Sequence, residues 1–194
     1  MNTQFAYNPF SGVLDDDIND VLVPQFNVDD LLSMIKRSES LALEFQGKQG
    51  RGKTSHLKFL HKYLSEFPIV FLDSSSAFSE IRSLSQRVVF VDSIHHLSVL
   101  NRRKLFKQNK IVIYTTHRKR NLECFFAKKK HVSIGFNGIN EEVLTCILNK
   151  RLEFAALTKV DSDDLFHSKE VNDLIGKYGD DYRGIINHLF DRFQ

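Results

Sequence analysis

The sequence contains no tryptophan, three prolines and two cysteines among 194 residues. Cys124 and Cys146 have neither the spacing of a metal site nor that of a disulfide framework, so we expect both thiols to be reduced and structural. No apolar run approaches the roughly 20 residues that a bilayer span requires. The N-terminus also lacks the basic start and apolar run of a signal peptide. We therefore expect a cytoplasmic protein that does not contact a membrane.

The composition is that of a globular protein. With 42% hydrophobic residues, the chain is long enough for one core, or for a core domain with a small appendage. We find no internal repeat and no low-complexity tract.

The formal net charge of +3 hides an uneven distribution of charge along the chain. Residues 1–46 contain eight acids and two bases, whereas residues 101–130 contain eleven bases and one acid. This polarity predicts a basic face for nucleic acid or two complementary faces of a head-to-tail assembly, and a merely solvated face is the third interpretation. The candidate nucleic-acid contacts are Arg102, Arg103 and Lys104.

Residues 47–54 read GKQGRGKT, which has the spacing of a phosphate-binding loop. Glycines let backbone N–H groups turn toward phosphate oxygens, and the following helix presents its positive dipole end to the same anion. Lys53 is predicted to reach the β- and γ-phosphates, and the Thr54 hydroxyl to ligate Mg²⁺. The predicted nucleotide-binding residues are Gly47, Gly50, Gly52, Lys53, Thr54 and Ser55.

Apolar runs that alternate with helical patterns predict an α/β fold with a parallel five-stranded sheet covered by helices. The predicted strands are residues 41–45, 68–73, 87–92, 110–116 and 131–136. Helices are predicted at residues 55–64 and 97–108, with a short helix at 77–85, and three more at 141–157, 168–178 and 182–193. We expect an N-terminal segment (1–40), an α/β core (41–137) and a small helical lid (138–194).

Asp92 ends an apolar strand, as a carboxylate that holds the water shell of magnesium would. The alternative is a helix N-cap, for which Asp is also favoured. Ser93 follows where an acid would polarise the attacking water, and a serine hydroxyl is a poor base. Hydrolysis is therefore expected to be slow, or to depend on Asp73, on His95 or on a neighbouring subunit.

Two further positions carry polar groups that could report nucleotide state. Thr115 and Thr116 end the fourth predicted strand, where a hydroxyl could hydrogen-bond a phosphate oxygen or a water. Two threonines are also ordinary strand residues. Arg183 begins the last predicted helix, from which it could fold back over the nucleotide.

The order of these features resembles that of the AAA+ ATPases, with Walker A at residues 47–54, Walker B at residues 88–92, sensor one at Thr115 or Thr116, and sensor two at Arg183. Within the superfamily, the residues DSIHHL from Asp92 and the lid opening INEE look most like the branch of initiator and origin-recognition ATPases, ExeA-type ATPases and transposition regulators. The resemblance assigns catalytic roles to Asp92, Thr116 and Arg183, and magnesium to Thr54 and Asp92. It also makes Arg118 and Arg120 candidates for the arginine that completes a neighbouring subunit's site.

The resemblance implies a protein that binds ATP and Mg²⁺, assembles with copies of itself or with related AAA+ subunits, and contacts DNA or a DNA-acting partner. ATP hydrolysis is expected to be weak because Ser93 replaces the second Walker B acid. The alternative is a non-hydrolysing adaptor that bound nucleotide stabilises. A small-molecule kinase is a third interpretation, but the chain lacks an obvious arginine lid in its middle.

Overall fold

The computed structural model of the protein describes residues 4–74, 86–136 and 138–194. The short helix predicted at residues 77–85 lies outside these residues. The described residues belong to two units. The helical unit comprises the described parts of Met1–Val23, Gln49–Gly52 and Asn137–Gln194, and the sheet unit comprises those of Pro24–Lys48 and Lys53–Phe136.

The sheet unit contains a five-stranded parallel sheet, as the sequence predicted. In space the strands are ordered β2-β3-β4-β1-β5. Crossovers between parallel strands require intervening helices, which cover the sheet and explain why its strands are apolar throughout. The strands are β1 (Leu41–Gln46), β2 (Ile69–Phe71), β3 (Val88–Asp92), β4 (Ile111–Thr116) and β5 (Lys130–Gly135).

Helices alternate with these strands and then follow them. The sheet unit contains α2 (Val28–Arg37), α3 (Lys53–Lys62), α4 (Val99–Gln108) and α5 (Asn121–Phe126), and the helical unit contains α1 (Ile18–Val21), α6 (Glu141–Ala155), α7 (Ser168–Tyr178) and α8 (Tyr182–Arg192). Short polar side chains cap several of them, because an oxygen there satisfies a backbone N–H of the first turn. The Asn27 side chain caps α2 and the Ser98 side chain caps α4. None of the described helices is long and apolar enough to cross a membrane.

Alternate residues of β1, β2, β3 and β4 enter two separate apolar clusters in the sheet unit. On β4, Ile111 and Ile113 pack with β1 and α3, whereas Val112 packs with Leu105 and Phe106 of α4. This alternation follows from the period of two in a β-strand. Both clusters are buried, so the sheet has an apolar layer on each face.

The first residues of the chain belong to the helical unit. The Asn8 side chain donates a hydrogen bond to Phe190 O at 2.8 Å and accepts one from the Phe10 N–H at 2.9 Å. The Phe10 ring is buried, with its centroid 5.1 Å from that of Phe193. The N-terminal residues therefore contribute to the core around α6, α7 and α8.

A buried carboxylate connects three parts of the sheet unit. Glu44 lies in the middle of β1 with no exposed surface. Its oxygens accept hydrogen bonds from the Tyr114 hydroxyl at 3.2 Å, the Ser133 hydroxyl at 2.9 Å and the Arg120 N–H at 2.8 Å. Because a buried charge is costly without donors, these contacts fix the chain at the start of α5 against the sheet.

The cysteines are both free thiols. Cys124 is buried on α5, and its Sγ lies 3.4 Å from the Tyr114 hydroxyl. Burial raises the pKa of the Cys124 thiol to about 11, so it stays protonated at neutral pH. Cys146 is exposed on α6.

The orientation of α4 differs from the prediction. Arg102, predicted as a nucleic-acid contact on a basic face, is 5% exposed, whereas Leu100 is 69% exposed. Ser98 caps the helix, and this start places Arg102, Leu105 and Phe106 on the buried side. The Arg102 guanidinium forms two hydrogen bonds with the Glu123 carboxylate, of 2.7 and 2.9 Å, and also donates to Leu97 O. Arg102 is therefore a structural residue that joins α4 to α5.

We expect Arg102→Ala to lower the free energy of unfolding by about 2–4 kcal/mol, because it removes two hydrogen bonds to Glu123 and leaves a buried carbonyl without its guanidinium donor. The matched control is Arg103→Ala on the same helix, where the exposed side chain predicts a change within about 0.5 kcal/mol. Urea unfolding followed by circular dichroism measures both. Equal effects of the two substitutions would contradict this assignment.

Candidate nucleotide-binding site

The phosphate-binding loop leaves β1 at a glycine that has no space for a side chain. A Cβ atom added to Gly47 would lie 2.6 Å from Phe136 O, which is closer than real Cβ atoms approach. The Gly47 N–H donates to Thr116 O at 3.2 Å, and its carbonyl oxygen lies 3.2 Å from His117 Nδ1. The loop therefore begins at the carboxyl ends of β1 and β4, the edge where open α/β sheets bind ligands.

Two glycines inside the motif adopt a backbone conformation that other residues rarely take. Gly50 has φ of 82° and Gly52 has φ of 75°. At positive φ an L side chain is strained, so these positions favour glycine. The motif spacing thus agrees with the backbone that the loop adopts.

α3 begins at Lys53, directly after the loop. Lys53 is 8% exposed, and its Nζ donates to Lys48 O at 2.6 Å, across the loop. Thr54 and Ser55 occupy the first turn of α3, where backbone N–H groups lack helical partners. A lysine ammonium and a helix N-terminus, both features that favour an anion, thus belong to the same short segment.

Asp92 accepts hydrogen bonds from three hydroxyl groups of the sheet unit. Thr54 Oγ1 and Thr115 Oγ1 donate to Oδ1 at 2.9 and 2.7 Å, and Ser93 Oγ donates to Oδ2 at 3.2 Å. The carboxylate is 8% exposed. These contacts place the two predicted magnesium ligands, Thr54 and Asp92, in direct contact.

The two candidate threonines at the end of β4 have different partners. Thr115, rather than Thr116, contacts Asp92, and its hydroxyl also accepts the Ser93 N–H at 2.7 Å. Thr116 Oγ1 instead donates to Arg118 O at 3.1 Å. Successive strand side chains point to opposite faces, so one of the two threonines must face away from Asp92.

Ser93 lies in the left-handed region, with φ of 59°, and is followed by a 3-10 turn, Ile94–His96. The His95 ring centroid lies 4.3 Å from those of His96 and His117. Burial, helped by the nearby His117 and His96 rings and by Arg120, lowers the pKa of His95 to about 4. His95 is therefore neutral at pH 7, and a base with such a low pKa accepts a proton weakly.

In the helical unit, the tip of the phosphate-binding loop contacts residues just before and within α8. The Arg51 guanidinium, 8% exposed, forms an ion pair with Asp180. A Cβ atom added to Gly50 would lie 2.9 Å from Asp181 Oδ1 and 3.5 Å from Arg183 Cβ. Asp181 also caps α8 by accepting the Gly184 N–H at 3.1 Å. Arg183, the predicted sensor-two residue, is thus beside Gly50 of the loop.

Sequence reasoning missed the role of Arg51. This position is unspecified in the phosphate-loop motif, so the motif gives no reason to select it. A basic residue in the loop and the two acids Asp180 and Asp181 before a predicted helix were the available signals. The distance of 129 residues between Arg51 and Asp180 along the chain hid their pairing.

The remaining candidate residues fall into two groups. Arg118, Arg103 and Lys104 are exposed. Arg120 is half-buried, and its Nη1 lies 3.2 Å from Glu123 Oε1. Of the two candidates for an arginine that acts on a neighbouring subunit, Arg118 therefore has the more accessible side chain.

The donor set around Asp92 fits a magnesium ion that is held mainly by nucleotide and water. Among the described residues, no group of three or more His, Cys, Asp or Glu side chains could hold a metal ion. Mg²⁺ typically keeps several waters and binds through one or two carboxylates plus substrate phosphates. Thr54 and Asp92 supply oxygen atoms of the kind that such an ion accepts.

Comparison with known proteins identifies the fold through solved structures. No family model and no curated protein sequence matches the chain. The structure of a DNA replication initiation factor has a TM-score of 0.56 and 15% identity, with 89% of this chain and 62% of that chain covered. The Thermotoga maritima RuvB Holliday junction branch migration motor has a TM-score of 0.54 and 17% identity, with 88% of this chain and 61% of that chain covered. AMPPCP-bound DnaA from Aquifex aeolicus has a TM-score of 0.50 and 14% identity, with 90% of this chain and 68% of that chain covered.

These neighbours are AAA+ ATPases, and the match covers most of this chain. The chain therefore shares the fold of these structures, a phosphate-loop sheet with C-terminal helices, and the fold that the sequence resemblance implied is confirmed. The chain spans about three fifths of the length of the first two structures.

The lowered pKa of His95 predicts a pH-dependent stability. In the unfolded chain the ring titrates near 6.5, and in the folded protein near 4. Between these values the unfolded state binds more protons, so stability falls as the pH is lowered from about 6.5 to about 4. We expect His95→Asn to reduce the fall in Tm between pH 7 and pH 5, with His167→Asn, at an exposed histidine of the helical unit, as the control. Parallel pH profiles for wild type and His95→Asn would contradict the prediction.

Proposed function

We propose that this chain is an ATP-binding AAA+ protein whose nucleotide state controls its assembly and, through assembly, its contacts with DNA or with a DNA-acting partner. ATP hydrolysis in this proposal is slow. The switch is thermodynamic, because a ligand that binds the assembled form more tightly than the monomer shifts the population toward assembly.

The observation that carries the proposal is the hydroxyl–carboxylate cluster around Asp92 beside the phosphate-binding loop. Thr54 follows Lys53 in α3, and both Thr54 and Thr115 donate to the same Asp92 oxygen. A loop that had lost its ligand would have no need of a buried carboxylate at this edge of the sheet. The cluster therefore supports nucleotide binding rather than an inherited glycine turn.

Magnesium bound with ATP would neutralise phosphate charge and orient the terminal phosphate. The chain's own residues have separate tasks in this proposal. Lys53 and the N–H groups of the loop bind phosphate oxygens, Thr54 and Asp92 hold the metal, and Thr115 keeps Asp92 oriented. The exposed Arg183, next to Gly50, would contact the nucleotide from the helical unit.

Ser93 is the reason to expect slow hydrolysis. Its hydroxyl donates to Asp92 and its N–H donates to Thr115, so the residue is engaged in the cluster. A serine cannot accept a proton from the attacking water at neutral pH, and the neutral His95 is a weak base. A positioned general base typically contributes about 10²–10⁴-fold to a rate, and the chain forgoes most of this factor.

Assembly and DNA contacts are proposed from the similar structures and from exposed cations of this chain. The similar structures include a replication initiation factor, a branch migration motor and DnaA. In this chain Arg103 and Lys104 are exposed cations that could contact phosphate, and Arg118 could complete the site of a neighbouring copy. We propose these roles for the three residues.

A non-hydrolysing adaptor is the second candidate. It is favoured by Ser93, since an adaptor needs bound nucleotide but no activated water. The two candidates differ in one respect: an adaptor would not change its assembly state when ATP binds.

The first test is the molar mass of the protein by light scattering, with and without ATP and Mg²⁺. We expect the mass to rise with ATP to at least that of a dimer, and Lys53→Ala to remain at the nucleotide-free mass. Adding duplex DNA at low and moderate salt would test the DNA contact, which should weaken steeply with salt. A monomer that binds ATP without any change in mass would contradict the switch and favour the adaptor.

The second test restores an acid after Asp92. We expect Ser93→Glu to raise the ATP turnover about tenfold or more, because a carboxylate can polarise the attacking water. Ser93→Ala, which removes the hydroxyl without adding a base, should not raise it. Phosphate release under single-turnover conditions measures both, and an unchanged rate in Ser93→Glu would contradict the assignment of this position.

A further inference from the structure

α5 exposes three large apolar side chains on one face. Leu122, Phe125 and Phe126 are 67%, 72% and 65% exposed. Their spacing of three and four residues places them on the same side of the helix. Single exposed apolar residues are normal, but three on one short helix form a patch that needs an explanation. We call these three residues the α5 face.

The exposure of the α5 face does not come from a loosely held helix. The opposite side of α5 carries Cys124, which is buried, and Glu123, which binds Arg102 through two hydrogen bonds. After the helix, the Lys129 ammonium donates to Asn109 O and Lys110 O. Both ends of this segment are thus fixed to the sheet unit, and its apolar side chains are presented on a rigid base. A rigid surface loses little conformational entropy on binding.

Cations surround the α5 face in the sequence. Arg118 and Lys119 precede the helix, Lys128 and Lys130 follow it, and all four are exposed. An apolar surface beside several cations fits a partner that combines an apolar side chain with acids.

The partner that this chemistry favours is a protein segment rather than single-stranded nucleic acid. Bases stack on aromatic side chains, which Phe125 and Phe126 could provide. Leu122 has no π-face and contributes nothing to stacking, yet it is as exposed as the two rings. An aliphatic side chain of a protein would contact all three residues.

This chain contains a segment of that chemistry. Residues 14–20 read LDDDIND, with Leu14 70% exposed and Asp15, Asp16 and Asp20 exposed. Ile18 is buried in the helical unit, and the Asp17 N–H donates to Leu14 O at 3.1 Å, which closes a turn. The segment thus presents a leucine beside acids, the complement of the α5 face.

We propose that the α5 face and its cations bind residues 14–20 of a second copy of this chain. The contact is heterologous, since different surfaces of the two copies meet, and it can therefore be repeated from copy to copy. It identifies the surfaces for the assembly in the proposed function and rests on that proposal for the effect of ATP.

A charge exchange tests the contact. One variant carries Lys128→Glu and Lys130→Glu, and the other carries Asp15→Lys and Asp16→Lys. We expect each variant alone to raise the dissociation constant of self-association at least tenfold, because like charges then face each other. An equimolar mixture should recover association to within about tenfold of wild type, as one reversed surface can meet the other. Failure of the mixture to recover would overturn the proposal.

Truncation of the α5 face gives an independent test with a matched control. We expect Phe125→Ser with Phe126→Ser to raise the dissociation constant about thirtyfold, as loss of central aromatic anchors does. Leu157→Ser, at a leucine of the helical unit that is 64% exposed, should leave it within about twofold. Sedimentation velocity with ATP measures association, and the Tm of each variant confirms folding.

Nucleotide binding separates this inference from the proposed function. All of these variants should bind a fluorescent ATP analogue as wild type does, whereas Lys53→Ala should not. Assembly that ATP promotes but the α5 variants leave intact would overturn the contact and keep the switch. Loss of binding to a single-stranded oligonucleotide in the Phe125 and Phe126 variant, with association unchanged, would show that the α5 face binds nucleic acid and would also overturn the proposal.

Discussion

The Asp92 carboxylate is the interaction on which the candidate site depends. It accepts hydroxyl donors from Thr54 on α3 and from Thr115 on β4, and it ends β3 itself. Three elements that are far apart in sequence therefore meet at one pair of oxygens. Because a buried carboxylate needs donors, the position of each element is linked to the others. A ligand that competes for these oxygens would alter all three at once.

Buried charge also determines the geometry of α5. Glu44 holds the Arg120 N–H at the start of this helix, and Arg102 holds Glu123 within it. Such pairs add less stability than an apolar core of the same volume, but they allow few alternative arrangements. The sheet unit thus uses two carboxylates to define where a short helix lies. The polar groups of α5 are bound to the sheet unit, and this orientation leaves the apolar side of the helix exposed.

The sheet was predictable from the sequence because its strands are continuous apolar runs between turns. The phosphate-binding loop was predictable because its glycines and Lys53 have a fixed spacing. Which of Thr115 and Thr116 contacts Asp92 was not predictable, since it depends on which face of β4 each residue occupies. The burial of Arg102 on α4 was not predictable for a related reason, because its partner, Glu123, comes close to it only in the tertiary structure. The Arg51 contact with Asp180 was hidden by distance along the chain.

The Arg51–Asp180 pair changes what the GKQGRGKT motif means in this chain. Motif comparison treats the fifth position as free, yet here it carries a buried guanidinium whose partner lies in the turn between α7 and α8. Substituting a phosphate-binding loop that has no arginine at this position would bring the glycines and the lysine but leave Asp180 without its cation. The two positions should therefore change together in evolution. The loop and its distant acid form one structural unit, and the eight-residue motif describes only the loop.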